Sequence, residues 1–172
     1  MELILASQSP RRRQLLELMG LQFQVMSAAA DEWMDPTKPV EEEIGRVSRL
    51  KAEAVLAQAP QGACIIAADT LVCIDGQRLG KPRDEAEAEA MLRRLSGRDH
   101  TVMTGVSVLR GDRVETFTEK TQIHFRPLSA PEIHAYVATG EPMDKAGAYG
   151  IQGGAALFVS AICGDYYNVM GL

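Results

Sequence analysis

An aspartate interrupts an apolar, β-branched run: Cys64-Ile65-Ile66-Ala67-Ala68-Asp69-Thr70-Leu71-Val72-Cys73-Ile74, bounded by Gly62 and by Asp75-Gly76. Such a run reads as a strand covered on both faces. A carboxylate inside it is costly unless it reaches the strand's open end, meets a cation or holds a proton. An aspartate that merely caps a turn is the plain alternative. One cation within the same logic is Lys51, which falls in the apolar stripe Val40, Ile44, Val47, Leu50, Ala54 and Val55 and so is directed inward. A lysine placed there either meets a partner such as Asp69 or a phosphate, or snorkels its stem to the surface. Asp31 and Glu32 lie in an acidic loop beside the only tryptophan, Trp33. They are either solvated or are the carboxylates with which a phosphate-handling site holds a divalent ion.

A second set of residues suits an anion. Ser7-Gln8-Ser9-Pro10 leads from a short strand, residues 2–6, into a helix that runs through Leu15, Leu16, Leu18 and Met19 and stops at Gly20. Ser9 is placed to cap it and Pro10 to open it. The first turn carries Arg11-Arg12-Arg13. Cations at a helix N-terminus oppose the dipole at about 0.3–1 kcal/mol each, so three together argue for a bound anion, with free backbone N–H groups assisting. A solvated basic face is the alternative. After the Asp75-Gly76 turn signal the returning chain delivers Gly80-Lys81-Pro82, which brings Lys81 back towards the end of the Asp69 strand. This is no Walker loop, because Lys81 is followed by proline and the upstream spacing is absent. Finally, Asp144 to Gly154 packs four glycines around Lys145, Tyr149 and Gln152. That density predicts backbone approaching something flat or charged, or else a surface loop. His100, His124 and His134 have no ligand spacing, and no activated nucleophile stands out.

The elements that position these residues follow from periodicity. Strands are expected at 2–6, 21–26, 64–74, in the return from Asp75-Gly76 through Leu79, and at 101–109, 113–125 and 155–162, and helices at 10–19, 40–59, from Asp84 to Ser96-Gly97, and from Ser129 to Gly140. Residues 165–171 read as a polar-aromatic tail. With 172 residues, 46% hydrophobic and 24% charged, the chain suits one soluble domain with a substantial core. A net charge of −5 and a pI near 5.2 argue against a nucleic-acid partner, so an anion must be met by local cations. Cys64, Cys73 and Cys163 lack CxxC spacing and suggest reduced, buried thiols of a cytoplasmic protein. The opening residues are too short an apolar run for a signal peptide or membrane span.

Five stretches in order resemble the Maf family of nucleoside triphosphate pyrophosphatases. They are Ala6-Ser7-Gln8-Ser9-Pro10-Arg11-Arg12, Ala67-Ala68-Asp69-Thr70-Leu71-Val72, Gly80-Lys81-Pro82-Arg83-Asp84, Leu95-Ser96-Gly97, and Asp144 through Gly153. The resemblance covers nearly the whole chain. It implies one α/β domain over 1–172, similar to inosine triphosphate pyrophosphatase, with a mixed elongated β-sheet, flanking helices and a central cleft. It implies cleavage between the α- and β-phosphates with Mg²⁺ or Mn²⁺, giving a monophosphate and pyrophosphate. By position, Asp69 matches the proton acceptor, and Ser7, Arg12, Glu32, Lys51 and Lys81 match residues lining the phosphate cleft. Arg11, Thr70 and Gln152 match positions that separate subfamilies by base. The stretch from Lys145 to Gln152 resembles the branch acting on dTTP and UTP, not the one acting on 7-methyl-GTP. Family members usually continue past Leu172 with a proline and one more helix, so a truncated end is expected, which bears on any homodimer contact.

On physical grounds a triphosphate needs several cations, here Arg11 to Arg13, Lys51, Lys81 and Lys145. Attack of water on phosphorus then needs positioning and charge neutralisation. Asp69 either activates the water or holds the metal, with Glu32 as a second metal ligand. The competing readings are a 7-methyl-GTP or broad modified-nucleotide pyrophosphatase with a housecleaning role, and a nucleotide-sensing regulator of cell division that has no catalysis. A nucleic-acid binder using the arginine cluster is a further rival, against which the pI speaks, and no membrane partner is expected.

Overall fold

A computed structural model describes residues 2–172. Among the described residues five helices, Pro10–Leu18 (α1), Val40–Leu56 (α2), Glu85–Leu95 (α3), Ala130–Val137 (α4) and Tyr166–Met170 (α5), accompany a seven-stranded sheet. Its strands are Leu3–Ala6 (β1), Gln24–Met26 (β2), Cys64–Ile74 (β3), Gln77–Leu79 (β4), Asp99–Arg110 (β5), Arg113–Phe125 (β6) and Val159–Cys163 (β7). They run in the order β2-β1-β3-β5-β6-β7, with β4 pairing on β3. β1 is parallel to both β2 and β3, whereas β4 returns antiparallel along β3 and β7 along β6. The mixed α/β architecture expected from the sequence is therefore present. Asp75 and Gly76, with φ of 52° and 70°, make the tight turn between β3 and β4, as the Asp-Gly pair predicts.

The chain falls into two compact units. The first comprises residues 2–70, Thr104–Glu119 and Gly171–Leu172. Its core joins Ile4 and Ala6 of β1, Ala52 and Val55 of α2, Ile65 and Ala67 of β3, and Leu109 of β5. Alternate residues of β3 and the i, i+3 face of α2 meet here, which is what a strand covered on both faces requires. α2 lies close against the sheet at Gly105, where a Cβ would stand 2.5 Å from the Ile44 carbonyl oxygen. Ser48 of α2 bonds the Ser107 hydroxyl at 2.8 Å, and Ser107 bonds Thr116 at 2.9 Å, so the buried hydroxyls are mutually satisfied.

The second unit comprises Leu71–Met103 and Lys120–Met170. It is built on α3, α4 and a cluster of rings in which Phe125 meets His100, Tyr149 and Phe158 edge-on. α4 opens with a complete capping box between Ser129 and Glu132. Two expectations change. Residues 154–158 form a 3₁₀ turn, and only Val159–Cys163 is strand. Ala155 and Phe158, three apart, are both buried while Leu157 is 76% exposed, so the apolar run has the period of a 3₁₀ turn and not of a strand. Cys64 and Cys73 are buried free thiols, but Cys163 is exposed, because β7 is the outer strand of the sheet. The tail beyond Asp165 contains the short helix α5. Among the described residues no helix is long and apolar enough to cross a membrane.

Candidate active site

The misplaced aspartate of β3 meets the misplaced lysine of α2. Lys51 Nζ donates to Asp69 Oδ1 at 2.6 Å and lies 3.1 Å from Glu32 Oε1. Their side chains are 17% and 16% exposed for Lys51 and Asp69, against 64% for Glu32. One ammonium thus joins a carboxylate from the sheet to one from the acidic loop. Lys51 does not snorkel away, because a partner stands on the inward side.

The loop bearing Glu32 is held by residues for which the sequence raised no expectation. Arg46 donates to the Trp33 carbonyl at 2.6 Å and to both oxygens of Glu43 at 3.0 and 2.8 Å. Glu43 also accepts the Asp35 N–H at 2.7 Å, and the Asp31 carboxylate accepts the Trp33 N–H at 3.0 Å. The hydrogen bonds from Arg46 and from the Asp35 N–H hold the Glu43 carboxyl down at about 2. Glu43 sits next to Ile44 on the buried face of α2, so the stripe that singled out Lys51 contained a signal for Glu43 too.

Arg12 is the cation of the first helical turn that is built into the fold. Its guanidinium donates to the Gly171 carbonyl at 2.7 Å, to Ser7 Oγ at 3.2 Å and to Thr70 Oγ1 at 3.0 Å. Thr70 in turn bonds the Thr104 hydroxyl at 3.0 Å. Burial pushes Arg12 down to about 10, while Asp69 pulls it back up, so it stays charged at neutral pH. The side chains of Arg11 and Arg13 make no hydrogen bond or ion pair among the described residues, and Arg13 is exposed. Ser9 caps α1 as expected, accepting the Arg12 N–H at 3.5 Å. Asp69, Lys51, Glu32, Ser7, Arg12 and Thr70 are all residues of the first unit.

Lys81, Lys145 and Gln152 belong to the second unit. There the Gly147 N–H donates to the Gly80 carbonyl at 3.1 Å, which ties the turn of Lys81 to the glycine-rich stretch. Lys81 and Gln152 are exposed and make no side-chain hydrogen bond among the described residues. Lys145 is 15% exposed and already engaged, donating at 2.7 Å both to the Glu141 carbonyl and to Asp144 Oδ1. The charged objects that the glycines approach are side chains of the protein itself. A Cβ at Gly153 would fall 1.9 Å from Glu141 Oε1, and one at Gly150 would fall 2.7 Å from Lys145 Cε.

Among the described residues no three His, Cys, Asp or Glu side chains converge as a closed metal site. Asp69 and Glu32 nevertheless offer hard oxygen donors, and Mg²⁺ is commonly held by one or two carboxylates, with water and substrate phosphates supplying the rest. The two donors suit such an ion in kind, with Lys51 Nζ standing between them.

The family described as Maf-like protein matches residues 2–172. The chain is 52% identical over 170 residues to a dTTP/UTP pyrophosphatase of Bacillus velezensis, covering 99% of this chain and 89% of that one. It is 53% identical over 171 residues to a dTTP/UTP pyrophosphatase of Geobacillus sp., covering 99% and 91%. A solved HAM1 protein from Coxiella burnetii is similar with a TM-score of 0.48 and 14% identity, over 92% of this chain and 91% of that one. With the family's sequence pattern spanning residues 2–172 and relatives above half identical along their length, the chain belongs to the Maf family.

Proposed function

We propose that this protein hydrolyses dTTP and UTP between the α- and β-phosphates, giving the nucleoside monophosphate and pyrophosphate in the cytoplasm. The observation that carries the reaction is the partly buried triad in which Lys51 joins Asp69 to Glu32. The choice of base rests on likeness to proteins named dTTP/UTP pyrophosphatases.

Lys51 occupies only one oxygen of Asp69 in the contacts above, and the other remains for a water proton. Asp69 is the general base in this reading, with the Lys51 ammonium orienting its carboxylate through the bond to Oδ1. Glu32, on its clamped loop, is the second carboxylate and would hold Mg²⁺ or Mn²⁺ together with water and the substrate phosphates. A divalent ion supplies charge neutralisation at the phosphate oxygens. The side chains of Arg11, Arg13 and Lys81 have no protein partner among the described residues, so they are cations free to meet phosphate. Arg12 uses three of its five N–H donors on Ser7, Thr70 and the Gly171 carbonyl, which leaves two for a phosphate oxygen. Gln152 can present both a donor and an acceptor to the imide edge of thymine or uracil.

The test is pyrophosphate release from the common and several modified nucleoside triphosphates, with Mg²⁺ and with Mn²⁺, in the natural protein and in Asp69→Asn. Turnover of dTTP and UTP well above that of CTP, ATP, GTP and 7-methyl-GTP is expected, with a loss of about 10²–10⁴-fold in Asp69→Asn while nucleotide binding is kept. Comparable kcat/KM for CTP and UTP would refute the base assignment. An Asp69→Asn protein retaining full turnover would refute the catalytic one.

A further inference from the structure

The loop that carries Gln152 is wrapped around one carboxylate. Glu141 opens the 3₁₀ turn that follows α4, and both of its oxygens are used. Oε1 accepts the Tyr136 hydroxyl at 2.9 Å, and Oε2 accepts the Gly154 N–H at 3.1 Å. The Tyr136 oxygen in turn accepts the Gly150 N–H at 3.2 Å. The backbone on each side of Gln152 therefore ends at Glu141, directly through Gly154 and by way of Tyr136 through Gly150. Lys145 is bound to the same residue through its carbonyl. The chain passes so near the carboxylate that a Cβ at position 153 would stand 1.9 Å from Oε1 and push the Glu141 carboxylate from its place. Gln152 itself is exposed and bonded to nothing among the described residues. Its side chain is free to meet a ligand while its backbone is pinned.

We propose that Glu141 is a positioning residue for base selection: it touches no substrate, but it fixes the backbone from which Gln152 presents its amide. This rests on the reading of Gln152 as the group that meets the base. A side-chain amide discriminates between imide and amino edges only when its donor and acceptor are both held in register. Without the carboxylate, the Gly154 N–H and the Tyr136 hydroxyl lose their common partner. The space around Gly153 also opens. Gln152 then samples several orientations, and the preferred substrates lose more than the poor ones.

The experiment compares kcat/KM for UTP and CTP, melting temperature and site-resolved amide hydrogen exchange in the natural protein, Gln152→Ala, Glu141→Ala and Glu141→Gln. Glu141→Ala is expected to narrow the UTP-to-CTP ratio about tenfold or more, chiefly by slowing UTP, with faster exchange at Gly150 and Gly154. Glutamine can accept from Gly154 and donate to the Tyr136 oxygen, so Glu141→Gln is expected to restore the ratio to within about threefold of the natural protein. A ratio unchanged in Glu141→Ala, while Gln152→Ala narrows it, would overturn the proposal. If Gln152→Ala itself leaves the ratio untouched, the assignment of the base-reading residue fails and takes the selectivity role of Glu141 with it. The anchoring role is then decided by exchange alone: faster at Gly150 and Gly154 in Glu141→Ala upholds it, and unchanged overturns it. Should Glu141→Ala not fold, Tyr136→Phe, which removes only the bridging hydroxyl, is read by the same measurements and the same criteria.

Discussion

A lysine on the inward face of a helix and an aspartate inside a buried strand are each unfavourable alone, and their pairing at 2.6 Å removes both penalties at once. Neutralising either one should leave the other stranded. Lys51→Met and Asp69→Asn are therefore expected to be non-additive in urea unfolding, with a coupling of about 0.5–3 kcal/mol. Additive losses would show the pair to be incidental to stability. Arg12 makes the complementary case, because three partners in different directions need a planar fork. Arg12→Lys keeps the charge but cannot meet Ser7, Thr70 and the Gly171 carbonyl together. It is expected to cost about 1–3 kcal/mol of stability and to lower kcat/KM for UTP, checked by unfolding and steady-state rates. Asp69, Lys51 and Arg12 were legible in the sequence because each violates a local rule of burial or helix charge. Glu141, Tyr136 and Arg46 were not, since beside their side-chain partners each holds a loop through a backbone group, of Gly154, Gly150 and Trp33, and no side-chain pattern marks a backbone partner.

At the scale of elements, residues act through the surfaces that α2, α4 and the sheet bring into contact. Gly105 lets α2 lie on the sheet, and the obstacle to any side chain there is backbone, 2.5 Å away at the Ile44 carbonyl. Backbone cannot rotate aside, so Gly105→Ala must displace α2, and with it Lys51. A loss of about 1–3 kcal/mol is expected, together with reduced turnover, measured by unfolding and pyrophosphate release. A fully active, equally stable Gly105→Ala would show that the helix can shift without cost. The capping box of α4 is a smaller lever. Removing the Ser129 hydroxyl should lower stability by about 1 kcal/mol, or a melting temperature by roughly 2–4 °C in a chain of this length. The long periodic elements, α2 and the β3–β4 hairpin, could be read from sequence because stripe and turn chemistry agreed. The segment Gly154–Phe158 could not, since in a five-residue apolar run the periods of strand and 3₁₀ turn are too short to separate.

At the scale of the whole molecule, stability against pH is set by groups whose protonation differs between the folded and unfolded chain. His100 is the clearest of these. It is 3% exposed, its Nε2 pairs with the Tyr149 hydroxyl at 2.7 Å, its Nδ1 has no partner, and the edges of Phe125 and Tyr149 enclose it. Burial pushes its pKa down to about 4, against the weaker pull of Asp99 upwards and with a small push downwards from His124. The folded chain therefore holds His100 neutral where the unfolded chain, near 6.5, begins to bind a proton. Between these values the unfolded state carries more protons, so stability rises with pH. The contribution of the neutral ring is complete above about 6.5, shrinks as pH falls towards 4, and stops changing below that. Its full size is on the order of 3 kcal/mol. Glu43 and Glu132, both held near 2 by arginine hydrogen bonds, lose their contributions only below the ordinary carboxylate range, so pH 5 to 7 isolates the histidine. His100→Phe fills the site with a ring that cannot titrate, at a cost for the Tyr149 hydroxyl that does not vary with pH in this window. The stability difference between the natural protein and His100→Phe, from urea unfolding, should therefore fall by about 1–2 kcal/mol from pH 7 to pH 5. A difference that stays flat across that window would mean that His100 titrates as if solvated.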